Sequence, residues 1–305
     1  EKSTQPVALR LKTYAEINGK IFVHLRRELV FYLGALRFIQ TLEKLGLPTC
    51  RPEIAPREER ICQVEAAYNA NLALHLGRYA NGHTPAKAVT QNDVLFGEPG
   101  RIFILTGPNQ GGKTTYMQGV ALLQVLAQVG CWVPGRRARL SPVDQILTHF
   151  PSEEKPEADA GRFGEEAQRL GALFQQVTSS SLVLLNESLA STSAGESVYI
   201  AQDIIRILRR LGASVIFATH LHELADRIDE MNAATPGDSR IASLVSSPVK
   251  ESSPADGDHP RSYKVELRPP LGQSYAREIA ARYGVSYEQL EKGLIERGQL
   301  DDGKR

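Results

Sequence analysis

The sequence predicts an α/β protein with a parallel-rich central sheet, preceded by a mainly helical segment. Three observations carry that prediction. Short continuous apolar runs at residues 101–106 (RIFILT), 181–185 (SLVLL) and 214–219 (SVIFAT) alternate with helical stretches at 115–128 and 196–211. Strands that are apolar throughout are those covered by helices on both faces of a parallel sheet. Each run is followed at once by polar residues, which are Gly107 and its neighbours, Asn186-Glu187 and His220. In open α/β sheets, ligands collect beyond the carboxyl ends of the strands. Finally, Gly107-Pro108-Asn109-Gln110-Gly111-Gly112-Lys113-Thr114 fits the pattern G-x-x-x-x-G-K-[ST], with a strand before it and a helix after it. A chance glycine-rich turn lacks that context.

That stretch is an anion cradle. Its glycines let backbone N–H groups converge, and the N-terminal end of the following helix adds partial positive charge. Gly107, Pro108, Asn109, Gln110, Gly111, Gly112, Lys113, Thr114 and Thr115 are therefore candidate nucleotide-binding residues. Lys113 is expected to reach the β- and γ-phosphates and Thr114 to offer its hydroxyl to Mg²⁺. A P-loop nucleotide hydrolase of ABC-ATPase-like type is the expected fold, with ATP and Mg²⁺ as cofactors.

Size and composition narrow the field. A chain of 305 residues holds one large or two modest domains. Hydrophobic residues at 42% and charged residues at 23% fit a globular protein. The formal net charge of +1 gives no overall field that draws in nucleic acid. Cys50, Cys62 and Cys131 lack metal-type spacing, so reduced thiols and a cytoplasmic location are expected. No apolar run approaches the roughly 20 residues needed to cross a bilayer, and no membrane partner is expected. The start, Glu1-Lys2-Ser3, is neither an initiator Met nor a signal peptide, which suggests a fragment of a longer protein.

Along the chain, residues 28–46 read as an amphipathic helix through Leu29, Tyr32, Leu36, Ile39, Leu42 and Leu45, with Leu25 extending the stripe. The stripe suits either a core-facing helix or a lever that faces a partner. Gly46 and Pro48 stop it, and Pro48, Pro52 and Pro56 read as a linker. Residues 61–105 hold short strands and a brief helix near 71–79, with turns at Asn81-Gly82 and residues 97–100. A turn at Pro134-Gly135 precedes a strand at 145–150, and the acidic, proline-containing residues 151–160 read as a mobile loop. Helices follow at 164–177 and 221–228. Residues 233–260, rich in Ser, Pro, Asp and Gly, read as a loose excursion. A strand at 263–267 and helices at 275–283 and 287–297 close the chain. The densest basic cluster, Arg136-Arg137-Ala138-Arg139, reads as a solvated face.

The strand ends carry the chemistry. Leu182-Val183-Leu184-Leu185-Asn186-Glu187 has the form of a buried strand ending in a metal-and-water site, in which an Asp commonly holds Mg²⁺ through water and a Glu positions the attacking water. Here the first position is Asn186, whose amide oxygen can accept from a metal-bound water but brings no charge. Glu187 is the candidate water-positioning residue, and Glu165 or Glu166 could supply the missing charge. His220, at the next strand end, could sense or polarise the γ-phosphate, although a lone strand-end His is more often structural. Lys113, Glu187 and His220 are the catalytic candidates, with Thr114 and, through water, Asn186 the metal candidates.

These motifs resemble the MutS mismatch-repair family. Residues 106–116, TGPNQGGKTTY, are similar to its TGPNMGGKSTY. LLNE followed by Ser191-Thr192-Ser193 resembles its LLDE then GTS, and FATH at 217–220 matches as it stands. Gly272-Gln273-Ser274-Tyr275 and Val285 resemble its closing segment. The likeness covers residues 92–297 and is highly specific, because four motifs fall in the family's order. Departures accompany it. Asn186 replaces Asp, and Gly161-Arg162-Phe163 stands where the family has Ser-Thr-Phe, whose Ser reaches the partner subunit's nucleotide. Where the family often stacks an aromatic on adenine, this chain has Ala88 and Val89, so Val89 is the expected base contact. ABC-type relatives carry an LSGGQ-like signature, which this sequence lacks.

The resemblance implies an ATP-binding and hydrolysing dimerisation module at residues 57–297, with a helical lever or core remnant at 1–56 and a charged tail at 298–305. The polar loop 188–193 lies at the subunit interface in the family, so a homodimer is expected. DNA is the implied partner of a full-length protein, and DNA binding by this chain alone should be weak and salt-sensitive. The alternative is an ATP-gated scaffold that dimerises with essentially no turnover. A steady-state ATPase assay beside a nucleotide-binding assay separates the two.

Overall fold

A computed structural model describes residues 5–79, 86, 88–108, 110–151, 161–189, 191–247, 262–270, 285–297 and 299. The chain opens with helix α1 (Gln5–Lys44), longer at its start than the apolar stripe predicted. Gly46, at φ +76, lets the chain leave the helix. Among the described side chains of α1, Phe22, Leu25, Leu29, Phe31, Tyr32 and Leu36 are exposed, and the C-terminal end packs, through Leu42, Phe38 and Leu45, on Tyr68, Ala70, Ala73 and Val89.

The proline-spaced stretch is not a free linker. Strand β1 (Thr49–Cys50) pairs with β6 (Val133–Pro134), and β2 (Glu53–Ile54) pairs with β7 (Arg137–Leu140). The residues between the prolines keep their N–H groups, and Ala55 N–H donates to Leu140 O at 2.9 Å. Strand β3 (Cys62–Ala67) leads to helix α2 (Ala70–Tyr79) and strand β4 (Asn92–Phe96), giving, among the described residues, a four-stranded sheet in the order β2-β7-β3-β4. The basic cluster therefore lies largely on a strand. Arg139 is held by Glu53 at 2.9 Å and Glu59 at 2.7 Å, so part of that charge is spent within the sheet.

Among the described residues, the larger sheet has six strands. They are β5 (Ile102–Thr106), β8 (Ile146–His149), β9 (Leu182–Asn186), β10 (Ser214–Ala218), β11 (Ile241–Ser247) and β12 (Lys264–Leu267), in the order β12-β11-β5-β10-β9-β8. All neighbours are parallel except the antiparallel pair β11-β12. This is a mixed α/β fold with a parallel-rich sheet. Every residue of β5 and β9 is buried, as their unbroken apolar runs require. Helix α3 (Lys113–Gln128) covers one face through Met117, Val120 and Leu123, which meet Phe103, Leu105, Leu182 and Leu184. The other face packs Ile102, Ile104, Val183 and Leu185 against Leu170 and Leu173 of α4 (Gly161–Phe174) and Ala201, Ile205 and Leu208 of α5 (Ala194–Leu211). Short helices α6 (His222–Asp226) and α7 (Ile228–Ala234) join that layer, and α8 (Tyr287–Glu296) is the last helix among the described residues, begun by a capping box between Ser286 and Gln289.

Strand β11 corrects one expectation. It lies inside the stretch read as a loose excursion and is the direct parallel neighbour of β5. Its serines hid it, because Ser243 and Ser246 are buried although their type suggests a loop. Asn81-Gly82, residues 152–160 and the helix expected at 275–283 lie outside the described residues. No described helix is long and apolar enough to cross a membrane.

Candidate functional site

The glycine-rich loop runs from the end of β5 into α3. Gly107 adopts φ +141, and a Cβ there would sit 2.7 Å from the Ser246 carbonyl oxygen. A Cβ at Gly111 would meet Ser246 Oγ at 2.8 Å, and the Ser246 hydroxyl donates to the Gly111 carbonyl. Glycine is thus required where β11 presses on the loop. Gly112 is the residue before α3, at φ +89, and Tyr263 lies 3.3 Å from where its Cβ would be. Asn109 lies outside the described residues.

Lys113 is 4% exposed. Its Nζ donates to Gly107 O at 2.9 Å and Pro108 O at 3.1 Å, so the ammonium folds back into the loop. Burial pushes its pKa down to about 8, against an opposing pull from Glu187. Thr114 Oγ1 lies 3.2 Å from Asn186 Nδ2 and 3.5 Å from Asn186 Oδ1. The two expected metal residues therefore touch, with no carboxylate in the pair. Glu166 does not fill that gap, because one of its oxygens accepts from Leu189 N–H at 2.6 Å and the other from the Ser191 hydroxyl.

Glu187 turns out of β9 at φ +50, and one carboxylate oxygen lies 2.7 Å from His220 Nε2. The hydrogen bond from His220 holds its carboxyl below the usual carboxylate range despite partial burial, with His220 and Lys113 adding charge attraction. His222 has a buried Nδ1 without a partner, and burial lowers its pKa. Ser188, expected on an interface loop, is 2% exposed and bonded to His149.

Of these groups, Lys113, Thr114 and Glu187 border a cavity of about 460 Å³. Gln110, Gly111, Gly112, Lys113, Thr114, Thr115 and Glu187 form its polar end. Tyr68, Leu72, Leu76, Ala88, Val89, Val94, Tyr116 and Tyr263 form an apolar wall, with Asn69, Thr90 and Asn92 among them. Val89, the expected base contact, and Ala88 line that wall, whereas His220 meets the cavity through Glu187. The sequence reading missed Tyr68, Leu72 and Tyr263. Tyr68 and Leu72 flank the start of α2, and Tyr263 is brought over the loop from far along the chain. Asn92 Nδ2 donates to Tyr263 O at 3.2 Å, and Thr90 Oγ1 donates to Ser262 O at 3.0 Å. Among the described residues, no group of three or more His, Cys, Asp or Glu side chains could hold a metal by itself, so any metal here would lean on ligand oxygens.

Comparison with known proteins fits this geometry. Residues 103–266 match the family described as MutS domain V. The chain is similar to the DNA mismatch repair protein MutS of Caldanaerobacter subterraneus, 29% identical over 237 residues, covering 77% of this chain and 27% of that protein. The corresponding protein of Brevibacillus brevis is 39% identical over 135 residues, covering 44% of this chain and 16% of the relative. That of Geobacillus thermodenitrificans is 27% identical over 299 residues, covering 94% and 33%. The chain thus spans at most a third of the length of these relatives. The match to domain V covers more than half of the chain and runs from inside β5 into β12, across the loop, both strand ends and Tyr263, and on that ground this protein belongs to the MutS family.

Proposed function

We propose that this chain is a P-loop ATPase module, which binds and hydrolyses ATP and dimerises as part of a MutS-like DNA repair or DNA-structure-binding protein. The observation that carries the reading is the meeting of Lys113, the Thr114–Asn186 pair and the Glu187–His220 pair at the carboxyl ends of three adjacent parallel strands, beside one cavity. The residues present suit ATP and Mg²⁺. Lys113 is a buried cation whose hydrogen-bond partners among the described residues are two loop carbonyl oxygens, which polyphosphate oxygens would replace. The loop N–H groups between Gly107 and Thr115, Pro108 excepted, would cradle the phosphates. Tyr68, Leu72, Val89 and Tyr263 offer an apolar slot for the base. Thr114, with Asn186 through water, would hold Mg²⁺, which when bound neutralises charge on the transferring phosphoryl group.

Glu187 would orient the attacking water and take up its proton, while His220 holds the carboxylate in place. Binding assays beside steady-state ATPase assays test this. Glu187→Gln should bind ATP normally and turn over on the order of 100-fold more slowly. Full activity in that variant would remove the catalytic assignment. A non-hydrolysing, ATP-gated scaffold is the second reading, favoured by the neutral Asn186 against Thr114. It predicts tight nucleotide binding with no turnover in the wild-type chain.

The wider assignments are part of the same proposal. They are a lever or core remnant at residues 1–56, the ATPase module at 57–297, a tail at 298–305, a cytoplasmic location and a homodimer formed through the 188–193 loop. DNA binding belongs to a longer protein, because this chain carries a net charge of only +1.

A further inference from the structure

The turn after β9 is tethered from four sides. Glu187 and Leu189 sit at φ +50 and φ +71, in the left-handed region that disfavours residues with a side chain. Glu187 N–H donates to Ala218 O of β10 at 2.8 Å. Ser188 Oγ lies 2.7 Å from His149 Nδ1, at the end of β8. Leu189 N–H donates to Glu166 of α4 at 2.6 Å, and Leu189 O accepts from Ser197 Oγ of α5 at 2.7 Å. His149 is 4% exposed, Glu166 7% and Ser188 2%, so these bonds form away from water. Nothing in the proposed hydrolysis uses His149 or Glu166. The second ring nitrogen of His149 is buried without a partner, which leaves Ser188 as the polar group its ring is set against.

We propose that His149 and Glu166 are positioning residues: by clasping Ser188 and Leu189 they hold Glu187 and Leu189 in the left-handed region and so aim the Glu187 carboxylate at His220 and the cavity. The proposal rests on reading Glu187 as the water-positioning group. The physical link is short. The backbone angles of residue 187 set the direction of its Cα–Cβ bond, and the angles of a left-handed residue persist only where its surroundings fix them. Freed at Ser188, the turn relaxes toward the right-handed region and swings the carboxylate away from its partners.

The test uses the full chain with His149→Leu, Ser188→Ala, the double variant and His149→Gln, which keeps a donor for Ser188. The first readout needs no hydrolysis: backbone NMR of nucleotide-free protein reports the sign of φ at Glu187 and Leu189 through their ¹³Cα and ¹³Cβ shifts and HN–Hα couplings. The wild type should show left-handed angles at both, as φ values of +50 and +71 require. In His149→Leu and Ser188→Ala these signatures should move toward the right-handed region. The double variant should match the single ones, and His149→Gln should match the wild type. The second readout is single-turnover hydrolysis, expected to fall about tenfold or more with ATP affinity retained. If His149→Leu does not fold, Ser188→Ala carries the test. Unchanged left-handed signatures in folded Ser188→Ala overturn the proposal whatever the turnover. A shifted turn in a protein whose wild type shows no turnover upholds the clasp and overturns the hydrolytic reading instead.

Discussion

Replacing Lys113 with methionine should abolish nucleotide binding and yet leave the free protein no less stable at neutral pH. The side chain is 4% exposed, and burial lowers its pKa from 10.5 to about 8. At roughly 1.4 kcal/mol per pH unit, holding the charged amine in that place costs about 3 kcal/mol at pH 7. Methionine is of similar length and uncharged, so it removes that cost. It also leaves the Gly107 and Pro108 carbonyls without their donor, at roughly 1 kcal/mol each. The net expectation is a variant about 1 kcal/mol more stable than the wild type at pH 7. The pH dependence is the sharper signature. Because the folded pKa lies below the unfolded one, the unfolded chain binds more protons between about pH 8 and 10.5. Wild-type stability therefore rises through that window relative to the variant, and above it the variant is the less stable by about 2 kcal/mol. Urea unfolding of both proteins at pH 7, 8, 9 and 10 measures the crossing. A stability difference that stays constant across those pH values would refute the buried-ammonium argument. Retained ATP binding in the variant would refute the role of Lys113.

Three further outcomes are expected. Asn186→Asp places a carboxylate against Thr114, so the Mg²⁺ midpoint for ATP binding should fall and turnover should rise or hold; a higher midpoint would show that the site is built around the neutral amide. Gly107→Ala puts a Cβ 2.7 Å from a backbone oxygen at φ +141, so ATP affinity should fall at least tenfold and stability by roughly 1–3 kcal/mol; wild-type affinity would show that the loop tolerates the contact. Light scattering with a non-hydrolysable ATP analogue should show a dimer, and a strict monomer at high protein concentration with and without analogue counts against the interface at residues 188–193.

Much of the site was legible because its motifs are local. Lys113 and Thr114 open the helix that follows a glycine turn, Asn186 ends an apolar strand, and Glu187 and His220 lie just past strand ends, so one-dimensional order placed them beside the right elements. Leu182 to Leu185 are apolar at every position because both faces of β9 are covered, and that leaves a plain mark in the chain. Ser246 left none. It is a serine in a serine-rich stretch, and only its parallel pairing with β5 turns it into the residue that forces glycine at 107 and 111. Tyr263 gave no signal for the same reason, since its place over Gly112 depends on Asn92 and Thr90 holding residues 262–263.

By itself the sequence determined the alternation of buried strands and amphipathic helices, the phosphate-type loop and the polar residues at each strand end, because periodicity and short motifs are written in neighbouring residues. Tertiary structure alone decided which distant groups meet. It set the strand order, the fold-back of Lys113 onto its own loop, the pairing of Glu187 with His220, the bonds from His149 and Glu166 to the turn after β9, and the exposure of Phe22, Leu29 and Leu36 on α1. Those outcomes depend on which surfaces exclude water together, and burial and hydrogen-bond partners belong to the packed assembly rather than to any stretch of chain.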